Sequence, residues 1–279
     1  SMKLAVVVGF LIGFLCVSGP SQVEAQELFP DKALEKVVRS YVFDKRYNEE
    51  PITEEDVKFL SVIKGVGKGI KSLQGLEKCR ALAELDLRKN EISDLSALSE
   101  LKLLQSLSLS QNQIEDIAPL KGLTRMQYLE LTGNKVKDIA ALTELKAMRS
   151  LYLSGNEISS IEPVKGMDKI WSLYIDGNKV KDLTPIQDLK FLSSLDLKGN
   201  GLEGLESIAK FDDLSWLFLQ DNQLTDLAVL VEMAKKDFEG QRRFAPFWKI
   251  YLKGNPLGAA AQEQIKQLQS MGARINLTD

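Results

Sequence analysis

The segments LAELDLRKNEI (residues 82–92), LQSLSLSQNQI (104–114) and LSSLDLKGNGL (192–202) share the pattern LxxLxLxxNxI/L. Its asparagine recurs at intervals of 22 residues and finally after 33, at Asn90, Asn112, Asn134, Asn156, Asn178, Asn200, Asn222 and Asn255. The residues three and five positions before each asparagine are all aliphatic. Self-similarity at this period predicts a solenoid of stacked supersecondary units.

Each repeat is predicted to begin with a short strand. The LxL triplet has a period of two, so both leucines face one side and the residue between them faces the other. After the asparagine, apolar residues follow at intervals of three, as in Ile92, Leu95, Leu98 and Leu101. This spacing favours 3₁₀ turns over a long α-helix. Stacking of the repeats then buries a continuous core.

The asparagine column is predicted to be structural, because its side chain can satisfy backbone donors and acceptors inside the coil. A ladder of ligand-binding asparagines is the alternative. The aspartates Asp94, Asp116, Asp138, Asp182 and Asp226 precede the apolar residue that opens the next turn, where an N-cap is expected. Calcium binding is the alternative for this column.

These repeats resemble leucine-rich repeat proteins, and the 22-residue form resembles the bacterial internalin-like subclass. The resemblance covers residues 60–258, one degenerate repeat plus eight, of which the last carries 11 extra residues. It implies an α/β solenoid: a horseshoe with a concave parallel β-sheet and a convex side of 3₁₀ or short helices. It also implies a binding function, since many internalin relatives are surface adhesins.

Caps are expected at both ends, because the terminal faces of a solenoid are apolar. Residues 26–59 are predicted to form a helical N-terminal cap, and residues 259–279 a cap of one helix and a short strand. The extra residues fall within 229–246, where a helix over Val229–Phe238 is predicted. This segment is either a longer convex connection or a protruding partner contact.

The first residues have the pattern of an export signal. A 14-residue apolar run, Leu4 to Val17, follows Lys3, and small residues precede a cleavage point after Ala25. Residues 1–25 are therefore predicted to be a signal peptide, with an uncleaved anchor as the alternative. We expect a secreted or periplasmic protein with no membrane span after cleavage.

The composition excludes several classes of function. The formal net charge is −3, so no basic excess favours nucleic-acid binding. The chain has no histidine and two cysteines, which excludes histidine-dependent catalysis, histidine-ligated metals and a disulfide framework. Cys79, the cysteine left after cleavage, is expected to be buried. We predict no metal, no cofactor and no enzymatic activity.

Aromatic residues concentrate on the predicted concave face. Six of its 24 outward strand positions are aromatic, and two tryptophans lie one residue before a strand. A preference of aromatic residues for strands does not explain why they lie on the outward side. The predicted partner-binding residues are Tyr128, Tyr152, Trp171, Tyr174, Asp196, Trp216, Phe218, Trp248 and Tyr251.

The polar rim of this face is expected to include Asp86, Arg88, Glu130, Asp176 and Lys198, with Asp176 and Lys198 as a possible ion pair. We predict a monomeric binding module that recognises a protein through this face. Binding of a carbohydrate or cell-wall glycan on the same face is one alternative. The other is an intracellular scaffold resembling the regulators of protein phosphatases, which requires that the N-terminal run is not a signal peptide.

Overall fold

The computed structural model describes residues 27–278, so the predicted signal peptide lies outside the described residues. In this range ten parallel strands form one sheet in chain order. They are β1 (Val62–Lys64), β2 (Glu84–Asp86), β3 (Ser106–Ser108), β4 (Tyr128–Glu130), β5 (Ser150–Tyr152), β6 (Ser172–Tyr174), β7 (Ser194–Asp196), β8 (Trp216–Phe218), β9 (Lys249–Tyr251) and β10 (Arg274–Asn276).

The pairing register reproduces the sequence period. Leu107 pairs with Leu129 and Leu129 with Leu151, a step of 22 residues, and Leu217 pairs with Ile250 across the longer repeat. The middle residue of each of these triplets is buried, whereas the first and third face away from the core. Aliphatic residues therefore form the interior in continuous columns.

Short 3₁₀ turns connect the strands on the other side of the coil, as the apolar spacing of three predicts. They are Leu76–Lys78, Ser96–Leu98, Ala118–Leu120, Ala140–Leu142, Glu162–Val164, Thr184–Ile186, Glu206–Ile208 and Ala245–Phe247. Each aspartate of the Asp column accepts the backbone N–H two residues on, for example Ser96 N–H to Asp94 at 2.8 Å and Ala118 N–H to Asp116 at 2.8 Å. The predicted solenoid architecture is confirmed.

Helices close both ends. They are α1 (Lys32–Arg39), α2 (Glu54–Val57), α3 (Ala228–Glu239) and α4 (Ala259–Ser270). None of the helices within residues 27–278 is long and apolar enough to cross a bilayer. Asp31 ties α1 to the first repeat: one oxygen caps the helix at Ala33 and Leu34, and the other accepts the N–H groups of Lys71 and Ser72. Burial opposes ionisation of Asp31, but these four N–H groups hold its pKa below the ordinary value.

The segment with the extra residues is packed against the body rather than free. Four apolar side chains of α3 are buried, and α3 contacts α4 and the turn at 245–247. The carboxylate of Asp237, itself buried, accepts the N–H groups of Arg243, Phe244 and Ala245 at 2.9, 3.1 and 2.8 Å. The segment therefore behaves as a folded connection, with Gln241 to Arg243 exposed at its tip.

Cys79 lies in the aliphatic interior with none of its surface exposed. Burial, and secondarily the charge of Glu77, raise the pKa of its thiol to about 12. A thiol in this state stays protonated at neutral pH and is unreactive.

The asparagines join each repeat to the one before it. The side-chain amide of Asn112 donates to the carbonyls of Leu87 in the preceding repeat and Leu109 in its own, both at 3.0 Å. Its oxygen accepts the N–H of Ile92 at 3.0 Å. The same set of bonds recurs at Asn134, Asn156 and Asn178. Each asparagine thus satisfies buried backbone groups that no strand or turn pairs.

Replacement of Asn112 by alanine is expected to reduce the free energy of unfolding by about 2–4 kcal/mol, because it leaves several buried backbone groups without a partner. The exposed neighbour Gln113 provides the control, and Gln113→Ala should change stability by less than about 0.5 kcal/mol. Urea unfolding of the two variants measures the difference. Equal, small effects would show that the asparagine is not structural.

Candidate functional site

Six aromatic rings form a continuous chain of contacts on the outward face of the sheet. We call Tyr128, Tyr152, Tyr174, Phe218, Trp216 and Tyr251 the aromatic arc. Ring centroids are 5.4 Å apart for Tyr128 and Tyr152, 5.0 Å for Tyr152 and Tyr174, and 6.1 Å for Tyr174 and Phe218. Phe218 then stacks on Tyr251 at 4.7 Å, and Trp216 lies parallel to both rings. The arc crosses the strands from β4 to β9.

The strand pattern places these rings on one side. Tyr152, Tyr174, Phe218 and Tyr251 are each the third residue of a strand triplet, and Tyr128 and Trp216 are each the first. Both positions face away from the core, so every ring of the arc stays partly exposed. The aromatic cluster therefore lies where the sequence predicts it, on a surface that the interior does not use.

Hydrogen bonds orient several of these side chains. The hydroxyl groups of Tyr174 and Ser194 are 2.8 Å apart, and Tyr128 donates to Glu130 at 3.3 Å. Just before β6, Trp171 donates through Nε1 to Ser150 at 2.8 Å, although 54% of its surface is exposed. Side chains held in this way lose less conformational entropy when a partner binds.

Asp196 lies inside the arc. Its Cα pairs with Tyr174 on one side and Phe218 on the other, so those two residues are two strands apart, about 9.6 Å along the sheet. Their ring centroids nevertheless come within 6.1 Å. The rings therefore lean towards each other across the position of Asp196.

The surroundings of Asp196 raise its pKa to about 6. Burial is the main cause, and the nearby charge of Asp176 adds to it. The backbone N–H of Lys198, which Asp196 accepts at 3.0 Å, acts in the opposite direction. A partly buried carboxylate with a raised pKa on an exposed face is typical of functional sites.

The expected pair of Asp176 and Lys198 does not form. Asp176 instead accepts the hydroxyl group of Ser154, and the ammonium of Lys198 lies 3.8 Å from Asp221. Residues on adjacent strands of one column are close enough to pair, but here Ser154 and Asp221 are the partners of the two groups.

The prediction that Trp248 lies on the exposed binding face is wrong, because its side chain is fully buried. In the preceding repeats an aliphatic residue eight positions before the asparagine points inward, as Leu214 does, and the next residue stays outside the core. In the last repeat Phe247 is exposed and Trp248 is buried, a shift of one residue. Trp248 is the single residue between the turn at 245–247 and β9, and it packs edge-on against Phe244 with ring centroids 4.9 Å apart. Counting back from Asn255 therefore misplaces this residue.

Two cationic residues beside the arc, Lys249 and Arg274, are not among the site residues predicted from the sequence. The ammonium of Lys249 lies 3.6 Å from the centroid of the Trp216 ring, and Arg274 follows Lys249 on the next strand. Lys249 was detectable, since it is the outward residue that follows Trp216 in its column. Within residues 27–278 no group of three or more cysteines, aspartates and glutamates is placed to hold a metal ion.

Comparisons with known proteins support the solenoid fold. The family of leucine-rich repeats (two copies) matches residues 102–144. The structure is similar to an internalin C2 of Listeria monocytogenes, with a TM-score of 0.65 and 24% identity over 90% of this chain and 95% of that one. It is also similar to the internalin InlF of the same species, with a TM-score of 0.61 and 26% identity over 90% and 92%.

A longer protein shares the fold. The functional domain of InlJ from Listeria monocytogenes aligns with a TM-score of 0.63 and 20% identity over 86% of this chain and 54% of that one. The search of curated proteins returns no match. The chain is a leucine-rich repeat protein that is structurally similar to the Listeria internalins.

Replacement of Asp196 by asparagine is expected to stabilise the protein at pH 7.5 by about 1–2 kcal/mol, because it removes a charge that burial penalises. The folded-state pKa lies above the ordinary value of 3.8, so the ionised carboxylate lowers stability as the pH rises from about 4 to 6. The advantage of the variant should therefore vanish near pH 4 and be complete above pH 7.

Urea unfolding at several pH values measures this advantage. Asp168→Asn, which removes an exposed carboxylate before β6, is the control and should change stability by less than about 0.5 kcal/mol. A destabilised Asp196→Asn variant at pH 7.5 would contradict the assignment.

Proposed function

We propose that this leucine-rich repeat protein is a non-catalytic binding module that recognises a protein partner through the aromatic arc. The observation that supports the proposal most strongly is the unbroken contact of six partly exposed rings on the side of the sheet that the core does not need. Exposed aromatic clusters mark interaction sites, and tyrosine and tryptophan are enriched at the energetic centres of protein interfaces.

The arrangement of the rings favours a protein over a glycan. Sugar recognition by stacking needs ring faces that are open to solvent. In the arc, Phe218 stacks on Tyr251 with an interplanar angle of 17°, and Lys249 covers one face of Trp216. These rings present mainly their edges, which suits contacts with side chains and backbone of a protein. Glycan binding on the same face is the second candidate, because Trp171 and the tyrosines keep exposed surface.

The internalin-like structure supports a binding role, and many internalin relatives are adhesins. We propose that the chain is exported and acts outside the cytoplasm, in the periplasm or beyond it. An intracellular scaffold function is the alternative, and the fate of residues 1–25 distinguishes the two.

Affinity capture with the exported form should recover a protein that the triple variant Tyr152→Ser, Tyr174→Ser, Phe218→Ser binds at least about tenfold more weakly, since hot-spot rings contribute on the order of 2 kcal/mol each. The matched control removes three exposed rings elsewhere, Phe43, Phe59 and Phe191, and should bind as the parent does. Affinities are measured with the purified partner by calorimetry.

Equal loss in both triple variants would contradict the role of the arc. A glycan array provides the other arm of this experiment. Binding to a defined glycan that Tyr174→Ala abolishes, with no protein captured, would favour the second candidate.

Mass spectrometry of the protein expressed in a bacterial host should find a mature chain that starts at Gln26, because the apolar run and the small residues before it form a signal-peptidase site. The control is a variant with Ala25 changed to a bulky residue, which should retain residues 1–25. A cytoplasmic chain that keeps this segment would favour the scaffold alternative.

A further inference from the structure

One part of the aromatic arc combines aromatic rings with carboxylates. We call Tyr152, Tyr174, Asp176, Asp196 and Phe218 the acidic section. Asp196 lies in the column between Tyr174 and Phe218, and Asp176 is close enough to act on its charge. The rings here are tilted rather than stacked, at 73° for Tyr152 and Tyr174 and 61° for Tyr174 and Phe218. In such a pair the edge of one ring meets the face of the other, so the faces of the edge-on ring are not covered by that neighbour, although Phe218 is also stacked on Tyr251.

These carboxylates have no ion-pair partner among the described residues, and the charge of Lys198 acts on Asp196 only from a distance. Asp176 accepts the Ser154 hydroxyl group, and Asp196 accepts only a backbone N–H, that of Lys198. The Lys198 ammonium lies beside Asp221 instead. Throughout residues 27–278, no lysine or arginine forms an ion pair with Asp176 or Asp196.

A cation gains an attraction that depends on its charge from both components of this section. A cation is attracted to the face of an aromatic ring and to a carboxylate. An anion is repelled by both, and an apolar group would bury the carboxylates without a partner at a large cost. A contact between a cation and a ring face is already present at the other end of the arc, where the ammonium of Lys249 lies 3.6 Å from the Trp216 centroid.

We propose that the acidic section receives an arginine or lysine side chain of the protein partner, which lies against Tyr152, Tyr174 and Phe218 and pairs with Asp196. This inference rests on the proposed function, because it specifies the chemistry of the partner on the same face. Lys249 and Arg274 make the far end of the arc basic, so the partner's cation is directed to the acidic section.

The pairing requires an ionised Asp196. The groups that face it are Asp176, which raises its pKa, and Lys198, which lowers it, while Phe218 on the other neighbouring strand carries no charge. With a pKa of about 6, Asp196 is mostly neutral at pH 5 and ionised at pH 7.5. Affinity for a cation therefore rises across this interval and levels off above it.

The test uses the peptide acetyl-Gly-Ser-Arg-Ser-Gly-amide and the same peptide with citrulline, which keeps the shape of arginine and lacks its charge. Amide chemical shifts of the mature chain are followed by NMR during titration. We expect saturable shifts in β6, β7 and β8 with arginine, at least about fivefold weaker binding with citrulline, and about tenfold weaker arginine binding to Asp196→Asn or at pH 5.

Asp168→Asn is the matched control and should bind the arginine peptide as the parent does. Equal binding of the two peptides, or unchanged binding by Asp196→Asn, overturns the proposal. Asp196→Asn is expected to fold, since it removes a penalised charge, and its NMR spectrum verifies this directly.

The captured partner separates this proposal from the proposed function. If the triple ring variant loses the partner and Asp196→Asn keeps it with unchanged affinity, the arc binds the partner without a cation and the cation proposal fails alone. If the arginine peptide binds as expected while the triple ring variant keeps the captured partner, the acidic section binds cations and the proposed function of the arc fails.

Discussion

The structure depends on how the coil satisfies backbone groups that its own turns leave unpaired in the interior. A repeat of 22 residues has a three-residue strand and a 3₁₀ turn, and neither pairs the backbone at the bend between them. Each asparagine fills this gap with an amide that donates to two repeats and an oxygen that accepts from the preceding one. Because these bonds cross between repeats, they set the stacking as well as the bend.

The outward positions of the strands are not needed to form the core. The aliphatic columns and the asparagines bury the core, so an outward residue can change without opening a cavity. The aromatic arc occupies this free surface. Asp196 is also not needed for the core, and its ionised form lowers the stability of the fold at neutral pH. Its one hydrogen bond to the fold and its cost to stability support the binding role that we propose for Asp196.

Two other carboxylates stabilise the fold, one in the N-terminal cap and one in the last repeat. Asp31 accepts four backbone N–H groups and joins the first helix to the first repeat. Asp237 accepts three and folds the extra residues of the last repeat into a compact connection. Both carboxylates accept backbone N–H groups that would bond to water in an isolated segment. The segments next to the repeats are therefore ordered.

The sequence alone determined the repeat, the inward leucines, the structural position of the asparagines and the side of the sheet on which Tyr152, Tyr174 and Phe218 lie. These follow from a strict period, because a strand turns alternate residues to opposite faces. Only the tertiary structure decided that Trp248 turns inward, that Lys198 pairs with Asp221, and that two rings lean across Asp196. Periodicity specifies a face and a column, whereas side-chain direction along that face depends on which neighbours compete for each group. An insertion also breaks the period: in the last repeat the count from Asn255 gives the right side within β9, but not at Phe247 and Trp248 just before it.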